Sequence, residues 1–146
     1  MSQLSFSRED FLDIEDLELQ MYYRPSIPNF PTLDSFAVLP ASLFFNPATE
    51  GNVLVIFQVT KSPEHKLNGA VVKRLQNRVK ALGIDFARTL FMWVSSERGI
   101  IKEQKVTNDE GKPYVRDAPE MEQWLLAFKK DYDDLFKQVL EPASSV

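Results

Sequence analysis

The residues best placed to do chemistry in this chain close the stretch 52–60, NVLVIFQVT, an apolar run that turns polar at Gln58 and Thr60 just before Lys61, Ser62 and Pro63. Strand alternation puts Val53, Val55, Phe57 and Val59 on one face and Leu54, Ile56, Gln58 and Thr60 on the other, so both faces are apolar until the last residues. Such a strand belongs in the middle of a covered sheet. Its polar end is delivered to the sheet edge, where open α/β proteins bind their ligands. Two absences narrow the chemistry: there is no cysteine, and His65 is the one histidine. Disulfides, thiolate metal sites and a cysteine nucleophile are excluded, as are a histidine-built zinc site and a histidine pair within one chain.

The elements that must position this edge follow from periodicity and breakers. Residues 33–39 read as a strand closed by Pro40, with Asp34 at its start. The turn residues Asn46, Pro47, Glu50, Gly51 and Asn52 then lead into 52–60, which predicts an antiparallel hairpin over 33–60. Leu67, Ala70, Val71, Leu75, Val79 and Leu82 recur at helical spacing, with Gly83 as the stop. Residues 87–94, ARTLFMWV, form a second apolar strand. The order strand, helix, strand predicts a right-handed parallel crossover, with Val71, Leu75 and Val79 covering one sheet face.

Less regular segments surround this core. Residues 7–20 read as a short acidic helix opened by Ser7, and 21–36 as irregular and proline-rich. Residues 95–117 read as a polar loop, with a short strand near 102–106 and a break at 108–111. A helix is predicted from Asp117 and Pro119 to Pro142, since Met121, Trp124, Leu125, Phe128, Tyr132, Leu135, Phe136 and Val139 follow the helical period. No repeat or linker divides the chain, so residues 1–146 are expected to form one domain.

Composition agrees with an ordinary globular domain: 146 residues, 44% hydrophobic, 26% charged, net charge −4. That balance argues against a strongly basic nucleic-acid binder. The charge is uneven, however: residues 61–88 hold seven basic against two acidic residues, whereas the first twenty hold one basic against six acidic. The basic part begins right after Gln58 and Thr60, and a solvated helix face is its plainest explanation. No stretch approaches the roughly 18 to 20 apolar residues that span a bilayer, and MSQLSFSRED has no leader-like charge or apolar region. No membrane association and an intracellular location, cytoplasm or nucleus, are therefore expected.

Asp34 in NFPTLDSF, Gln58, Val59 and Thr60 in LVIFQVTKSPEHKL, and the strand LFMWV stand in an order that resembles the PD-(D/E)XK nuclease fold. More closely, the order resembles the nuclease-like carboxyl-terminal domains of the Crinkler effectors and the retrotransposon hot spot proteins, over about residues 22–94. The resemblance implies a restriction-endonuclease-like α/β core, a mixed sheet with an antiparallel hairpin and a parallel crossover flanked by helices. It also implies a divalent metal, Mg²⁺ with Mn²⁺ as substitute, held by the aspartate of the second core strand and an acidic-x-lysine tripeptide on the third. Mapped here, Asp34 supplies one anionic ligand, Gln58 a neutral carbonyl where a carboxylate is usual, and Thr60 replaces the lysine. Glu64 is available as a replacement metal ligand, and His65 or Lys66 as base or phosphate contact. An acidic residue of the first segment, Glu15 or Glu18, is a further candidate. Lys66, Lys73 and Lys80 are the expected nucleic-acid contacts, and a host-cell nucleus is the implied location for an effector.

Each residue also has a bland explanation. Asp34 can open a strand, Gln58 and Thr60 can close one by hydrogen bonding, and His65 can be an ordinary surface residue. Three functions stay open: a metal-dependent nuclease for DNA or RNA, a degenerate domain that binds nucleic acid or a host protein without cutting, and an oligomerisation module that pairs through the aromatic stripe of the carboxyl-terminal helix. If the nuclease reading holds, Asp34, Gln58 and Thr60 meet at one end of the hairpin with His65 close by.

Overall fold

The computed structural model describes residues 3–6, 16–25, 33–60, 66–96, 103–128 and 139–142. Their centre is the predicted hairpin. Strands β3 (Ser35–Pro40) and β4 (Asn52–Thr60) pair antiparallel, in register from Ser35 opposite Phe57 to Pro40 opposite Asn52. Between them a 3-10 turn (Ala41–Leu43) and an Asn46 turn reverse the chain, and Gly51 at φ 86° supplies a left-handed residue just before β4.

From β4 the chain crosses over through β5 (Leu67–Asn68) and helix α1 (Gly69–Ala81) to β6 (Arg88–Ser96). Strand β6 lies parallel to β4, in register from Val53 opposite Arg88 to Thr60 opposite Ser95. The Asn68 side chain caps α1 by accepting from the Ala70 N–H at 2.9 Å. Arg78 and Lys80 complement the dipole in its last turn, and Gly83 at φ 84° ends it. Val71, Leu75 and Val79 are buried as the helical spacing predicts. They pack with Phe36, Val38, Leu54, Ile56, Phe91 and Trp93 in the larger core cluster. Each such apolar side chain stabilises the fold by roughly 1.5–3 kcal/mol relative to exposure. The other sheet face carries a smaller cluster of Ala41, Val53, Val55, Leu90 and Met92, against which Phe45 and Trp124 pack.

The carboxyl-terminal part corrects the sequence reading. Residues 122–128 are not helical: they form β8 (Glu122–Phe128), parallel to β6 from Leu90 opposite Glu122 to Ser96 opposite Phe128. Strand β9 (Val139–Pro142) pairs antiparallel with β8, and residues 129–138 lie outside the described residues. Met121, Trp124, Leu125 and Phe128 have helical spacing, but they sit in the continuous apolar run WLLAF, which by periodicity alone is equally a buried strand. Tertiary context decides, because the apolar β6 needs a partner along its open edge. Gln123 and Leu125 thus face α1 while Trp124 and Leu126 face away. The aromatic stripe on which homo-oligomer pairing rested does not exist across 122–128.

The amino-terminal part also differs. The proline-rich stretch contains β2 (Tyr22–Pro25), antiparallel to β3, and β1 (Gln3–Phe6) lies parallel to β2. Of the predicted acidic helix, 7–15 lie outside the described residues, and 16–20 form an irregular segment and a turn. The described strands therefore include one seven-stranded mixed sheet in the order β1-β2-β3-β4-β6-β8-β9. The loop at 108–111 is a turn closed by Asn108, whose Oδ1 accepts from the Glu110 and Lys112 N–H groups. Just before it, β7 (Val106–Thr107) pairs parallel with β5.

Gly69 is the tightest contact of this loop with α1. A Cβ there would lie 2.7 Å from both Tyr114 Cε2 and Val106 Cγ1, and 3.1 Å from Pro119 Cδ. Gly69→Ala is expected to lower stability, since overpacking costs roughly 1–3 kcal/mol while helix propensity regains at most about 1 kcal/mol. A urea midpoint equal to or above wild type would show that the loop yields freely.

Candidate functional site

The carboxyl ends of β4 and β6 and the start of β3 form the edge singled out from the sequence. Asp34 immediately precedes β3. The ladder ends with Ser35 opposite Phe57, so Asp34, one residue earlier, lies level with the 57–59 end of β4. A two-point clasp holds Asp34 there: its N–H donates to the Phe57 carbonyl at 2.8 Å, and its Oδ2 accepts from the Val59 N–H at 2.6 Å. The carboxylate of this exposed residue is thus anchored on the last turn of the hairpin ladder.

Gln58 is half-buried. Its Nε2 reaches the Val59 carbonyl at 3.3 Å, and its Oε1 is buried and accepts no hydrogen bond among the described residues. A buried carbonyl oxygen left without any donor costs about 1–3 kcal/mol, which makes this oxygen a candidate to accept from a water or to meet a cation. Thr60 is buried on the same strand. The sequence therefore places Asp34, Gln58 and Thr60 at one end of the hairpin, and the structure keeps them there.

The remaining sequence candidates divide by position. Glu64 and His65, and with them Glu15, lie outside the described residues. Glu18 is anchored through its backbone, its N–H donating to the Tyr23 hydroxyl at 2.8 Å. Burial pushes the pKa of that hydroxyl up, against the opposite effect of the Glu18 N–H. Lys66 is exposed at the amino end of α1, the end at which the crossover from β4 arrives. Lys73 and Lys80 sit elsewhere. They line a cavity bounded by residues 86–89 and 118–122, at the amino ends of β6 and β8. That edge lies about 20 Å along the strands from Thr60 and Ser95. Among the described residues no cluster of three or more acidic, histidine or cysteine side chains gathers around a metal-sized space.

Two features of the edge escaped the sequence reading. Ser95 is buried and directly in register with Thr60. The signal was present, since LFMWV is followed by Ser95 and Ser96 much as the preceding strand ends in Gln58 and Thr60. Beside Gln58 in register stands Trp93, fully buried, whose indole Nε1 donates to Gln123 Oε1 at 2.9 Å. The Gln123 amide also pairs with the Gln104 backbone, accepting from its N–H at 2.8 Å and donating to its carbonyl at 2.7 Å. One glutamine thereby fastens the 103–107 segment across the sheet, and no local pattern announces such a bond.

Comparison with protein-family models, with curated proteins and with solved structures returned no significant match to this chain.

Proposed function

We propose that the chain is a nuclease-like domain of the PD-(D/E)XK type, of the Crinkler and retrotransposon hot spot kind, acting as a divalent-cation and phosphodiester site with diminished cutting power. The observation that carries this reading is the Asp34 carboxylate clasped on the Val59 N–H at the end of β4 that holds Gln58, whose buried Oε1 accepts no hydrogen bond among the described residues. One anionic and one neutral oxygen suit a hard cation that retains several of its waters, as Mg²⁺ does. The strand order supports it as well. Strands β2, β3 and β4 form an antiparallel meander followed by the α1 crossover to β6, which puts Asp34 on the second strand of that unit and Gln58 on the third.

Bound Mg²⁺ would supply charge to polarise a phosphoryl oxygen. Asp34 and Gln58 would hold it, with Glu64 as a third ligand, while His65 and Lys66 would serve the water and the phosphate. With an amide in place of a carboxylate and Thr60 in place of the lysine, binding of DNA or RNA outweighs its hydrolysis. An effector of this type would meet its nucleic acid inside a host cell, in the cytoplasm or nucleus.

The test is Mn²⁺ titration by calorimetry, alongside incubation of labelled DNA and RNA with Mg²⁺. Weak cation binding and slow or undetectable cleavage are expected. Asp34→Ala should weaken the cation at least tenfold, about 1.4 kcal/mol, and abolish any cleavage. Asp34→Asn keeps an acceptor for the Val59 N–H and separates loss of charge from loss of the clasp. Equal Mn²⁺ affinity in wild type and both variants would remove the site.

A further inference from the structure

A cavity of about 440 Å³ lies between α1 and the amino ends of β6 and β8. One wall is a single stripe of α1: Lys73, Asn77 and Lys80, spaced four and three residues apart and therefore stacked along one face. Its floor is polar and already organised, because buried Gln76 donates from Nε2 to Thr89 Oγ1 at 2.9 Å and to the Glu120 carbonyl at 2.8 Å. Phe86 and Met121 add half-buried apolar surface.

The cations of this cavity differ in what they can still do. Arg88 is committed, its Nε and Nη2 meeting the two carboxylate oxygens of Glu122 at 2.5 Å while its guanidinium stacks 3.8 Å from the Phe45 ring centre. The ammonium of Lys73 donates to the Asp117 carbonyl at 2.8 Å, which uses one of its three N–H groups. Lys80 rests 5.2 Å from the centre of the Phe86 ring, a contact that occupies no acceptor. The two lysines stand two helical turns apart on one wall, roughly 10 Å along the axis, and each is a point charge of the kind that holds phosphate. The volume falls in the lower half of the roughly 300–1,000 Å³ typical of small-molecule sites, which fits a mononucleotide better than a dinucleotide cofactor.

We propose that this cavity binds a mononucleotide, with its phosphate on Lys80, Lys73 adding positive charge along the same wall, its base against Phe86 and Met121, and the Asn77 amide in reach of polar ring atoms. The site shares no residue with the Asp34 and Gln58 edge and does not depend on the nuclease reading. A nucleoside phosphate can reach it free or as part of a strand, and the free form is the one proposed.

The experiment is calorimetry on the full chain with adenosine 5′-monophosphate, adenosine, inorganic phosphate and a short single-stranded oligonucleotide. One nucleotide should bind per chain, with adenosine and phosphate each at least about tenfold weaker, since each lacks one half of the recognition. Asn77→Ala changes an exposed position and its unliganded melting should match wild type, whereas Lys80→Glu loses the Phe86 contact and the helix-end complement and should melt slightly lower while remaining folded. Lys80→Glu should weaken the nucleotide at least about tenfold and Asn77→Ala severalfold, while Asp34→Asn leaves it unchanged. Absence of nucleotide binding, binding indifferent to Lys80→Glu, loss of binding in Asp34→Asn, or binding of the oligonucleotide alone would each overturn the proposal.

Discussion

Trp93→Ala is expected to destabilise the protein by about 3–5 kcal/mol, the range for removing a large aromatic from a packed core. Trp93 is fully buried on the face that α1 covers, with its ring centre 4.7 Å from that of Phe91. Its removal opens a cavity next to Gln58, and it takes one donor from Gln123 Oε1, which keeps the Gln104 N–H. Trp93→Phe separates the two contributions. It retains most of the buried area and should cost little more than the hydrogen bond and part of the ring, about 1–2 kcal/mol. Urea unfolding followed by circular dichroism measures both, with the shift in midpoint read at unchanged slope. A loss below about 1 kcal/mol for the alanine variant would mean that the sheet and α1 repack around the hole.

How much of this was legible in the sequence depends on how each element earns its stability. Strand β4 and helix α1 announce themselves because their own residues dictate the period: Leu54 and Ile56 against Val53 and Val55 alternate, and Val71, Leu75 and Val79 recur on one helix face. The hairpin and the crossover follow from those elements and from handedness. Strand β8 was illegible for the opposite reason, since its conformation is set by the edge of β6 rather than by QWLLAF itself. Strand β2 was hidden among prolines; it is held by Tyr23 stacked on Phe36, with ring centres 5.2 Å apart, and by Tyr22, whose ring lies 5.9 Å from that of Phe57. At the site, the polar end of β4 was readable from its neighbours in the chain. The cavity beside α1 was not, because Gln76, Thr89 and Glu120 meet only after the helix has packed.

Gln58→Glu is expected to make the stability of the protein depend on divalent cations. Without metal, a second carboxylate at this half-buried position, one residue before the Val59 N–H that holds Asp34, meets like charge and incomplete solvation, and stability at neutral pH should fall by roughly 1–3 kcal/mol. Cation binding then offsets the loss. Mg²⁺ at one hundred times its dissociation constant stabilises the state that binds it by about 2.7 kcal/mol, so the melting temperature of this variant should rise steeply with Mg²⁺ while that of wild type rises little. Gln58→Leu is the opposing control. It removes the carbonyl that accepts no hydrogen bond, so the metal-free protein should be as stable as wild type or up to about 1 kcal/mol more stable, and its melting should no longer respond to Mn²⁺. That pairing of gained stability with lost response is what a functional residue held at a cost produces. If Gln58→Leu instead destabilises the protein and Gln58→Glu melts alike with and without Mg²⁺, Gln58 is a strand-closing residue and the edge holds no cation.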